Sequence, residues 1–444
     1  MLGRIYIDYH EWTGGSDLKF WPGIHWTILV WQLLQYPGIH CIIVHSIMYY
    51  PYRNDILRAQ LNWKEMIMFN LTTDPHRASR LYICRLIIFL VVLFACGRSY
   101  AQWDNPSEKY AKEYLKYVDA QRPIEQDGMK HFVYFARDRE AIHNHAFLSN
   151  SRFAGAQIMY SWSALEPSKG TYDFTSIQAD VNYLQSHGKK LFIQLQDRTF
   201  NPKFRGVPDY LNMDEYDGGS TLRYNDHDMP EGWAAKQWNP NVQKRYSMLL
   251  RALGEAFDGV IEGINLQESS IGNIKSEHDT SFSPAVYAEC IKANMLALKE
   301  AFPRSVKIQY ANFMPGEWLP WEDKGYLQSI YQYGEDIGVG LGAPDLMPQR
   351  KGQLNHALAM MHEHDYSVPL GVAIQDGNYI GYTGADFSPG SDGPKESDLK
   401  IEGRQNIVPM LHAFAREFLN VQYMFWVDQK PYFEEDVLPC FGDQ

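Results

Sequence analysis

Short apolar runs and longer amphipathic stretches alternate along the chain from Gln102 onward. Apolar runs of about four to eight residues are typical of strands buried in a parallel sheet, and their alternation with helical stretches predicts repeated βα units. Eight strands are predicted, at residues 132–135, 156–160, 190–195, 260–266, 306–310, 338–342, 370–374 and 421–426.

Helix signals lie between these runs. The stretch 176–187 carries Ile177, Val181 and Leu184 on one face, and Gly188 follows it as a common helix terminator. Pro284 opens a later helix at its first position, where proline is favoured. Helices are predicted at residues 176–187, 242–257, 284–301, 327–333, 353–364 and 405–419.

Eight βα units in about 340 residues predict an α/β fold of the (β/α)8 TIM-barrel type, with residues 102–440 forming one domain. An open, doubly wound sheet is the competing topology, but no glycine-rich phosphate fingerprint follows any predicted strand. Two long loops, 198–239 and 377–403, follow the third and seventh strands. Loops of this length inside a compact domain are usually functional or disordered.

Residues 81–101 have the pattern of a secretory signal peptide. Arg85 precedes the apolar run 86–95, and Ser99 and Ala101 supply small residues for cleavage after Ala101. The apolar run is too short to span a bilayer. We therefore expect an exported bacterial protein.

The segment 93–96 also resembles a bacterial lipobox, so Cys96 is an alternative processing site that would carry a lipid anchor. Export would then place the protein in the periplasm, outside the cell or on the outer membrane. Residues 1–80 have no clean helix or strand period, and a signal peptide belongs at a start. We expect them to be a non-native upstream extension, for which the pattern predicts no particular fold, and a genuine N-terminal extension is the alternative.

Composition excludes several classes of function. A formal net charge of −12 disfavours nucleic-acid binding, which needs a basic face. The five cysteines form no CxxC pair, and the histidine pairs 143/145 and 362/364 lack a third ligand, so neither a metal nor another cofactor is predicted. The high aromatic content, 14%, fits core packing or rings that stack on sugars. The sequence does not indicate an oligomeric state.

Polar residues follow many of the predicted strands. A barrel gathers the carboxyl ends of its strands into one mouth, where enzymes of this fold hold their catalytic groups. Glu268 closes the fourth strand beside an amide and is the leading candidate for acid–base chemistry. The other polar residues could line the mouth or shape its loops; they are Arg137, Asp197, Gln267, Asn312, Asp345 and Asp428.

The segment 162–174, Trp-Ser-Ala-Leu-Glu-Pro-Ser-Lys-Gly-Thr-Tyr-Asp-Phe, resembles the stretch after the second strand of clan A glycoside hydrolases. These barrels include families 5, 10 and 42. On the fourth strand the clan places an Asn-Glu pair with Glu as acid/base, and this chain has Gln267-Glu268. On the eighth strand Trp426 matches a tryptophan beneath the sugar. The resemblance implies Glu268 as general acid/base and Trp162 and Trp426 against a carbohydrate substrate.

The seventh strand departs from that pattern. The clan carries its nucleophilic Glu there, whereas this chain has Gln375-Asp376. Either Asp376 takes the role with a side chain about 1.5 Å shorter, or Gln375 occupies the Glu position and the nucleophile is lost. The prediction is a secreted glycoside hydrolase with Glu268 and Asp376 as its two carboxylates and Gln375 at the substrate. The alternative is a non-catalytic carbohydrate-binding barrel.

Overall fold

A computed structural model describes residues 25–36, 39–49, 105–275, 279–375, 378–379 and 406–442. In the first two ranges it describes the backbone alone. The chain divides into two compact units, residues 1–102 and 103–444, which are treated separately below.

Eight parallel strands of the second unit close a barrel in which each strand pairs with the next along the chain and the last pairs with the first. Every predicted strand overlaps one of these, so the predicted (β/α)8 TIM barrel is confirmed. The strands are β1 (Lys130–Tyr134), β2 (Phe153–Ser161), β3 (Lys190–Gln196), β4 (Gly263–Leu266), β5 (Val306–Tyr310), β6 (Gly340–Ala343), β7 (Leu370–Ile374) and β8 (Tyr423–Val427).

Helices occupy the connections between most of these strands, while the β1–β2 connection has only the 3₁₀ turns Arg139–Ile142 and Ala146–Ser149. In the described residues the α-helices are α1 (Pro106–Lys109), α2 (Trp162–Leu165), α3 (Thr175–Ser186), α4 (Pro240–Phe257), α5 (Pro284–Ala301), α6 (Tyr326–Ile337), α7 (Lys351–Asn355), α8 (Ala357–His362), α9 (Ile407–Ala413) and α10 (Leu438–Cys440).

The two longest helices begin at strong caps. The Asn239 side chain accepts hydrogen bonds from the backbone N–H groups of residues 241 and 242 at the start of α4. The Ser283 hydroxyl accepts from the Val286 N–H at the start of α5. A proline follows each cap, at a position where its missing N–H removes no helical hydrogen bond. These local signals made both helices predictable.

Two predicted helices differ in the structure. The stretch predicted as 353–364 is interrupted at His356, whose φ and ψ are −121° and −106°. The His356 ring lies 2.8 Å from the Gly352 carbonyl oxygen and 3.0 Å from that of Trp318, so tertiary contacts hold the break. The helix predicted at 405–419 is α9 followed by the π-helical turn Phe414–Phe418.

The barrel interior contains both aromatic and polar side chains. Phe132, Phe192 and Phe425 pack against one another with ring centroids 4.9–5.7 Å apart. In the same interior the Gln157 amide donates to Asn265 Oδ1 at 2.9 Å and to the Tyr310 hydroxyl at 3.3 Å. Apolar rings therefore fill part of the barrel, and polar side chains also line its interior.

The long loop after β3 contains a β-hairpin of two strands, Ser220–Tyr224 and Pro230–Ala235. Isolated bridges join Arg198 to Ala234 and Tyr224 to Asn273. The hairpin is thus attached to the segments that leave both β3 and β4. Of the two predicted long loops, 377–403 lies almost entirely outside the described residues.

In the first unit, the strands His25–Tyr36 and Ile39–Tyr49 pair antiparallel. Sequence pattern predicted no fold for this region, and its origin as a non-native extension stays a prediction. The proposed signal peptide, 81–101, including Cys96, lies outside the described residues. None of the helices in the described ranges combines the length and apolar character needed to cross a bilayer.

Candidate active site

Glu268 lies two residues beyond the end of β4, at the barrel mouth. Its Oε2 accepts a 2.5 Å hydrogen bond from Asn312 Nδ2, two residues beyond the end of β5. Asn312 is itself buried, and its Oδ1 accepts from the N–H groups of Ser270 and Phe313 at 3.2 and 2.8 Å. The amide is therefore fixed with its donor aimed at the carboxyl, as the predicted grouping of strand-end residues requires.

The pKa of Glu268 is raised from the ordinary 4.5 to about 7. Burial is the largest cause, because it disfavours the charged form, and the negative charge of Asp345 adds to it. The charges of Arg223 and Arg198 and the Asn312 hydrogen bond oppose the shift. A carboxyl with a pKa near neutrality can release or accept a proton under physiological conditions.

Asp345 is the described carboxylate whose charge raises the pKa of Glu268. It follows β6, and its Oδ1 accepts a 3.0 Å hydrogen bond from Asn378 Nδ2. Asn378 Oδ1 accepts from the Gln375 N–H at 2.9 Å, which links the ends of β6 and β7. Burial also raises the pKa of Asp345. Asp376, the predicted second carboxylate, lies outside the described residues, so its role stays a prediction.

Gln267 and Asp197 hold the loops of the mouth in place. Gln267 Oε1 accepts from the backbone N–H groups of Asp197 and Arg198, each at 3.0 Å. Both Asp197 oxygens are taken, by two Arg198 nitrogens at 2.9 and 3.0 Å and by the Gln237 amide at 3.0 Å. Asp197 is also buried, and its charge neutralises an adjacent arginine; its predicted contact with substrate stays a prediction.

Arg198 connects these mouth residues, and it is not among the residues predicted from the sequence. Its Nη1 donates to the Glu268 carbonyl oxygen at 2.5 Å and to the Tyr287 hydroxyl at 2.6 Å, and Tyr287 in turn donates to the Ser269 carbonyl oxygen at 3.0 Å. These bonds fix the backbone that carries the Glu268 side chain. Its position directly after the predicted strand end at Asp197 was a usable signal.

Trp162 is fully buried and does not face the mouth. Its Nε1 donates to Glu166 Oε2 at 2.8 Å, and its ring packs against Tyr246 of α4 with a centroid distance of 5.1 Å. Glu166 Oε1 accepts from the Gly170 N–H and from Arg245. The Trp-x-x-x-Glu-Pro segment therefore fastens the loop after β2 to α4, and the predicted contact between Trp162 and a sugar stays a prediction.

Trp426 is also fully buried. Neighbouring side chains of a strand point to opposite faces, and Phe425 already occupies the barrel interior, so Trp426 lies on the outer face of β8. There it packs on Phe441 with a centroid distance of 5.6 Å, and its Nε1 donates to His131 Nδ1 at 3.2 Å. No part of this ring is exposed in the described structure, and its predicted place beneath the substrate stays a prediction.

Trp426 also decides the chemistry of a buried group of three side chains. One ligand atom from each of Asp127, His131 and His412 lies within 4.8 Å of the other two, a spacing that a metal ion could bridge. Because His131 Nδ1 accepts from Trp426, the ring proton of neutral His131 must lie on Nε2. A protonated Nε2 has no lone pair for a metal, so these residues do not fit a metal site.

Other predicted mouth residues remain accessible. Arg137 is exposed and lies over the Phe204 ring, 4.6 Å from its centroid. Gln375 is partly exposed at the end of β7. Trp318, in the loop after β5, has 82% of its surface exposed. Asp428 pairs with His145 at 3.3 Å instead.

Comparisons with known proteins add the following. No family model matches the sequence, and no curated protein matches it at a significant level. Among solved structures, the chain is similar to the catalytic domain of a β-amylase from Paenibacillus polymyxa (9% identity, TM-score 0.43, covering 67% of this chain and 92% of that one). It is also similar to a GH10 protein from Paenibacillus barcinonensis (14% identity, TM-score 0.40, covering 70% and 88%).

A third similar structure is endo-glycoceramidase II from Rhodococcus sp. (12% identity, TM-score 0.39, covering 68% of this chain and 74% of that one). The activities in these names are those of the neighbours. The chemistry of this chain is therefore inferred from its own residues, and above all from Glu268.

Proposed function

We propose that this protein is a secreted hydrolase that cleaves glycosidic bonds in a poly- or oligosaccharide. The observation that carries the proposal is Glu268. It is a mouth carboxyl with a pKa of about 7, fixed by Asn312 and close enough to Asp345 to be influenced by its charge. Hydrolysis of a glycosidic bond needs a carboxylic acid that is still protonated near neutral pH and a second carboxylate across the sugar ring.

Glu268 acts as the proton donor in this proposal. Its Oε2 accepts from Asn312, and in the described structure Oε1 has no hydrogen-bond partner, so the acidic proton belongs on Oε1. From there it moves to the glycosidic oxygen as the bond to the anomeric carbon breaks. The carboxylate that remains is stabilised by Asn312 and by the charge of Arg223. The same group can then take a proton from the incoming water.

The second carboxylate is Asp345 or Asp376. Asp345 is held by Asn378 and acts electrostatically on Glu268. Asp376 follows the strand on which similar barrels carry their nucleophile, and this role rests on sequence position alone. Of the other acidic residues near the mouth, Glu317 is engaged by the N–H groups of Tyr326 and Leu327 at the start of α6.

The test is turnover of a broad panel of plant, algal and host glycans by wild type and by Glu268→Gln. General acid–base assistance contributes about 10²–10⁴-fold, so the variant should lose at least that factor on a glycan that wild type cleaves. Activated aryl glycosides need little protonation and should suffer less. Glu300→Gln, an exposed change on α5, is the matched control and should keep full activity.

Two outcomes contradict the proposal. Equal turnover by Glu268→Gln and wild type would remove Glu268 from the chemistry. Binding of a glycan with no turnover by wild type would favour the alternative of a carbohydrate-binding barrel. To assign the second carboxylate, Asp345→Asn and Asp376→Asn are compared on the same glycan, and the partner is the residue whose loss abolishes turnover. Full activity in both variants would refute the two-carboxylate mechanism.

Export is part of the proposal, supported by the signal-peptide pattern at 81–101. The mature N-terminus should be Gln102, or a lipid-modified Cys96. Mass spectrometry of the protein exported from a bacterial host measures this directly. Residues 1–80 still present on the exported product would contradict it.

A further inference from the structure

Three arginines near the mouth lie against aromatic rings. Arg223 lies 4.1 Å from the centroid of Phe200, Arg137 lies 4.6 Å from that of Phe204, and Arg205 lies 5.2 Å from that of Trp233. All three rings belong to the long loop after β3. We call these three pairs the arginine–aromatic face.

The positive charge of this face is only partly balanced. In the described structure Arg137 forms no ion pair or hydrogen bond, and Arg205 donates to the Ser220 hydroxyl at 2.6 Å and to the Gly218 carbonyl oxygen, which are neutral. Arg223 pairs with Glu231 at 3.1 Å, but its Nε and Nη1 have no partner although only 2% of its side chain is exposed. Of the three arginines only Arg223 forms an ion pair in the described structure; the charge of Asp209 also acts on Arg205 and that of Glu268 on Arg223.

This face lies beside the candidate active site. The bridge between Arg198 and Ala234 and the bridge between Tyr224 and Asn273 join its hairpin to the segments leaving β3 and β4. A hydrogen bond from the Ser163 N–H to the Gly206 carbonyl oxygen, 3.0 Å, joins it to the segment after β2. The charges of Arg223 and Glu268 also influence each other, which places this end of the face next to the candidate catalytic carboxyl.

The chemistry of a stacked guanidinium points to a particular ligand. A ring covers one flat face of the group and leaves the N–H edge for in-plane hydrogen bonds, and at the exposed Arg137 that edge has no partner in the described structure. A carboxylate or a sulfate matches that edge with two oxygens. A neutral hydroxyl would accept only one bond and leave the charge unbalanced. Phe200, 52% exposed, adds a flat apolar surface for a sugar ring.

We propose that the substrate is an anionic glycan whose uronate carboxylate or sulfate ester binds the arginine–aromatic face while the neighbouring linkage lies at Glu268. This inference rests on the proposed hydrolase function, since it names the substrate class of the same mouth. Arg137 is its accessible anchor, and Arg223 supplies charge from beneath the Phe200 ring.

Binding is measured on the Glu268→Gln protein, so that no ligand is consumed. The probes are hyaluronate, alginate and polygalacturonate with their carboxyl-reduced forms, and fucoidan and carrageenan with their desulfated forms. At least one charged polymer should bind at least 10-fold more tightly than its neutral form, and the pair that discriminates identifies carboxylate or sulfate. Equal binding of all charged and neutral pairs would overturn the inference.

Arg137→Gln, made in the same background, should weaken binding of the charged polymer about 10-fold and leave the neutral form unaffected. Arg137 is exposed, so the variant should fold normally. Arg137→Lys should recover part of the lost affinity, because lysine restores the positive charge but not the paired N–H donors of the guanidinium. Arg251→Gln removes the same charge from the exposed face of α4 and is the control. If Arg137→Gln and Arg251→Gln weakened binding of the charged polymer equally, the attraction would depend only on net charge, and the proposed site would be refuted.

The result also separates this inference from the proposed function. Turnover of a neutral glycan that depends on Glu268, with no preference for charged polymers, would overturn the anionic substrate and leave the hydrolase standing. Tight binding of a charged polymer that wild type never cleaves would support the arginine–aromatic face and contradict the hydrolase.

Discussion

Two groups of polar side chains in the barrel, each containing a carboxyl or imidazole whose pKa is shifted by burial, differ in their access to solvent. The mouth cluster consists of Glu268, Asn312, Asp345 and Arg223. The sealed cluster consists of Asp127, His131 and His412, on the outer face of the barrel. In both, burial disfavours the charged form: it raises the pKa of Glu268 to about 7, lowers that of His412 to about 4 and lowers that of His131 well below its ordinary value.

The difference between them is access. Glu268 keeps part of its surface exposed, and one of its oxygens has no partner in the described structure, so a substrate can reach the group that titrates. The sealed cluster is covered by Trp426 and Phe441, and Trp426 fixes the His131 tautomer. A perturbed pKa therefore marks a candidate active site only where the group can be reached; elsewhere it marks the packing of a core.

The largest expected effect contrasts Trp426, which covers the sealed cluster, with the exposed Trp318 in the loop after β5. Trp426→Ala removes a fully buried ring and the hydrogen bond to His131, and should lower the free energy of unfolding by about 3–5 kcal/mol. Trp318→Ala, at a ring 82% exposed, should change it by less than about 0.5 kcal/mol. Denaturant unfolding measures both. A stable Trp426→Ala protein would contradict its assignment to the core.

The sealed cluster should weaken the fold in acid. The folded-state pKa of His412 is about 4, against an ordinary 6.5, so the unfolded chain binds a proton first. Its stabilising contribution is present above pH 6.5 and is lost as the pH falls toward about 4, by roughly 1–3 kcal/mol. His412→Gln should flatten the pH dependence of unfolding in this window. His364→Gln, at an exposed histidine, is the control, and an unchanged slope in His412→Gln would be the contrary result.

The contribution of Glu268 to stability should depend on pH in the opposite direction. Its folded-state pKa, about 7, lies above the ordinary 4.5, so its contribution to stability is present below pH 4.5 and is lost as the pH rises through 7. Glu268→Gln avoids that loss and should be more stable than wild type by about 1–2 kcal/mol above pH 7.5, with no difference near pH 4. Thermal melts across this range test it, with Glu300→Gln as control. Equal melting temperatures at pH 8 would place the carboxyl in a solvated environment.

Two substitutions should shift the pKa of Glu268 in opposite directions. Asp345→Asn removes a negative charge that raises it, so the pKa should fall, and Arg223→Met removes a positive charge that lowers it, so the pKa should rise. Carbon-13 NMR of labelled glutamate carboxyls follows the titration, and the resonance absent from Glu268→Gln identifies the group. Shifts of the same sign would show that structural disturbance, not charge, controls the pKa.

The sequence predicted the barrel well because each βα unit carries local signals, such as the apolar run of β4 and the Asn239 cap before α4. It also predicted Glu268 and Asn312 as site residues because strand ends converge in this fold, and the structure joins the two by a hydrogen bond. It assigned Trp162 and Trp426 to the substrate, whereas the structure buries both rings completely. In the run Tyr-Met-Phe-Trp-Val of β8, alternation separates Phe425 from Trp426, but both are large and apolar, and the pattern does not say which faces the interior.

Other parts of the site had no local signal. Arg223 lies in a hairpin 45 positions before Glu268 along the chain, and the bridge between Tyr224 and Asn273 that brings them together depends on tertiary structure. The importance of Asp345 depends likewise on its distance from Glu268 in the folded mouth. Sequence proximity to a strand end found the residue but did not rank it above Asp376.

The pH dependence of kcat/KM tests the central claim, that Glu268 is the proton donor, most directly. It is measured with an activated aryl glycoside, which both wild type and Glu268→Gln can turn over. The account predicts that the wild-type rate falls on the basic side with a pKa of about 7 and that this limb is absent from the variant. A limb that persists unchanged in Glu268→Gln would assign the acid to another residue and contradict the account.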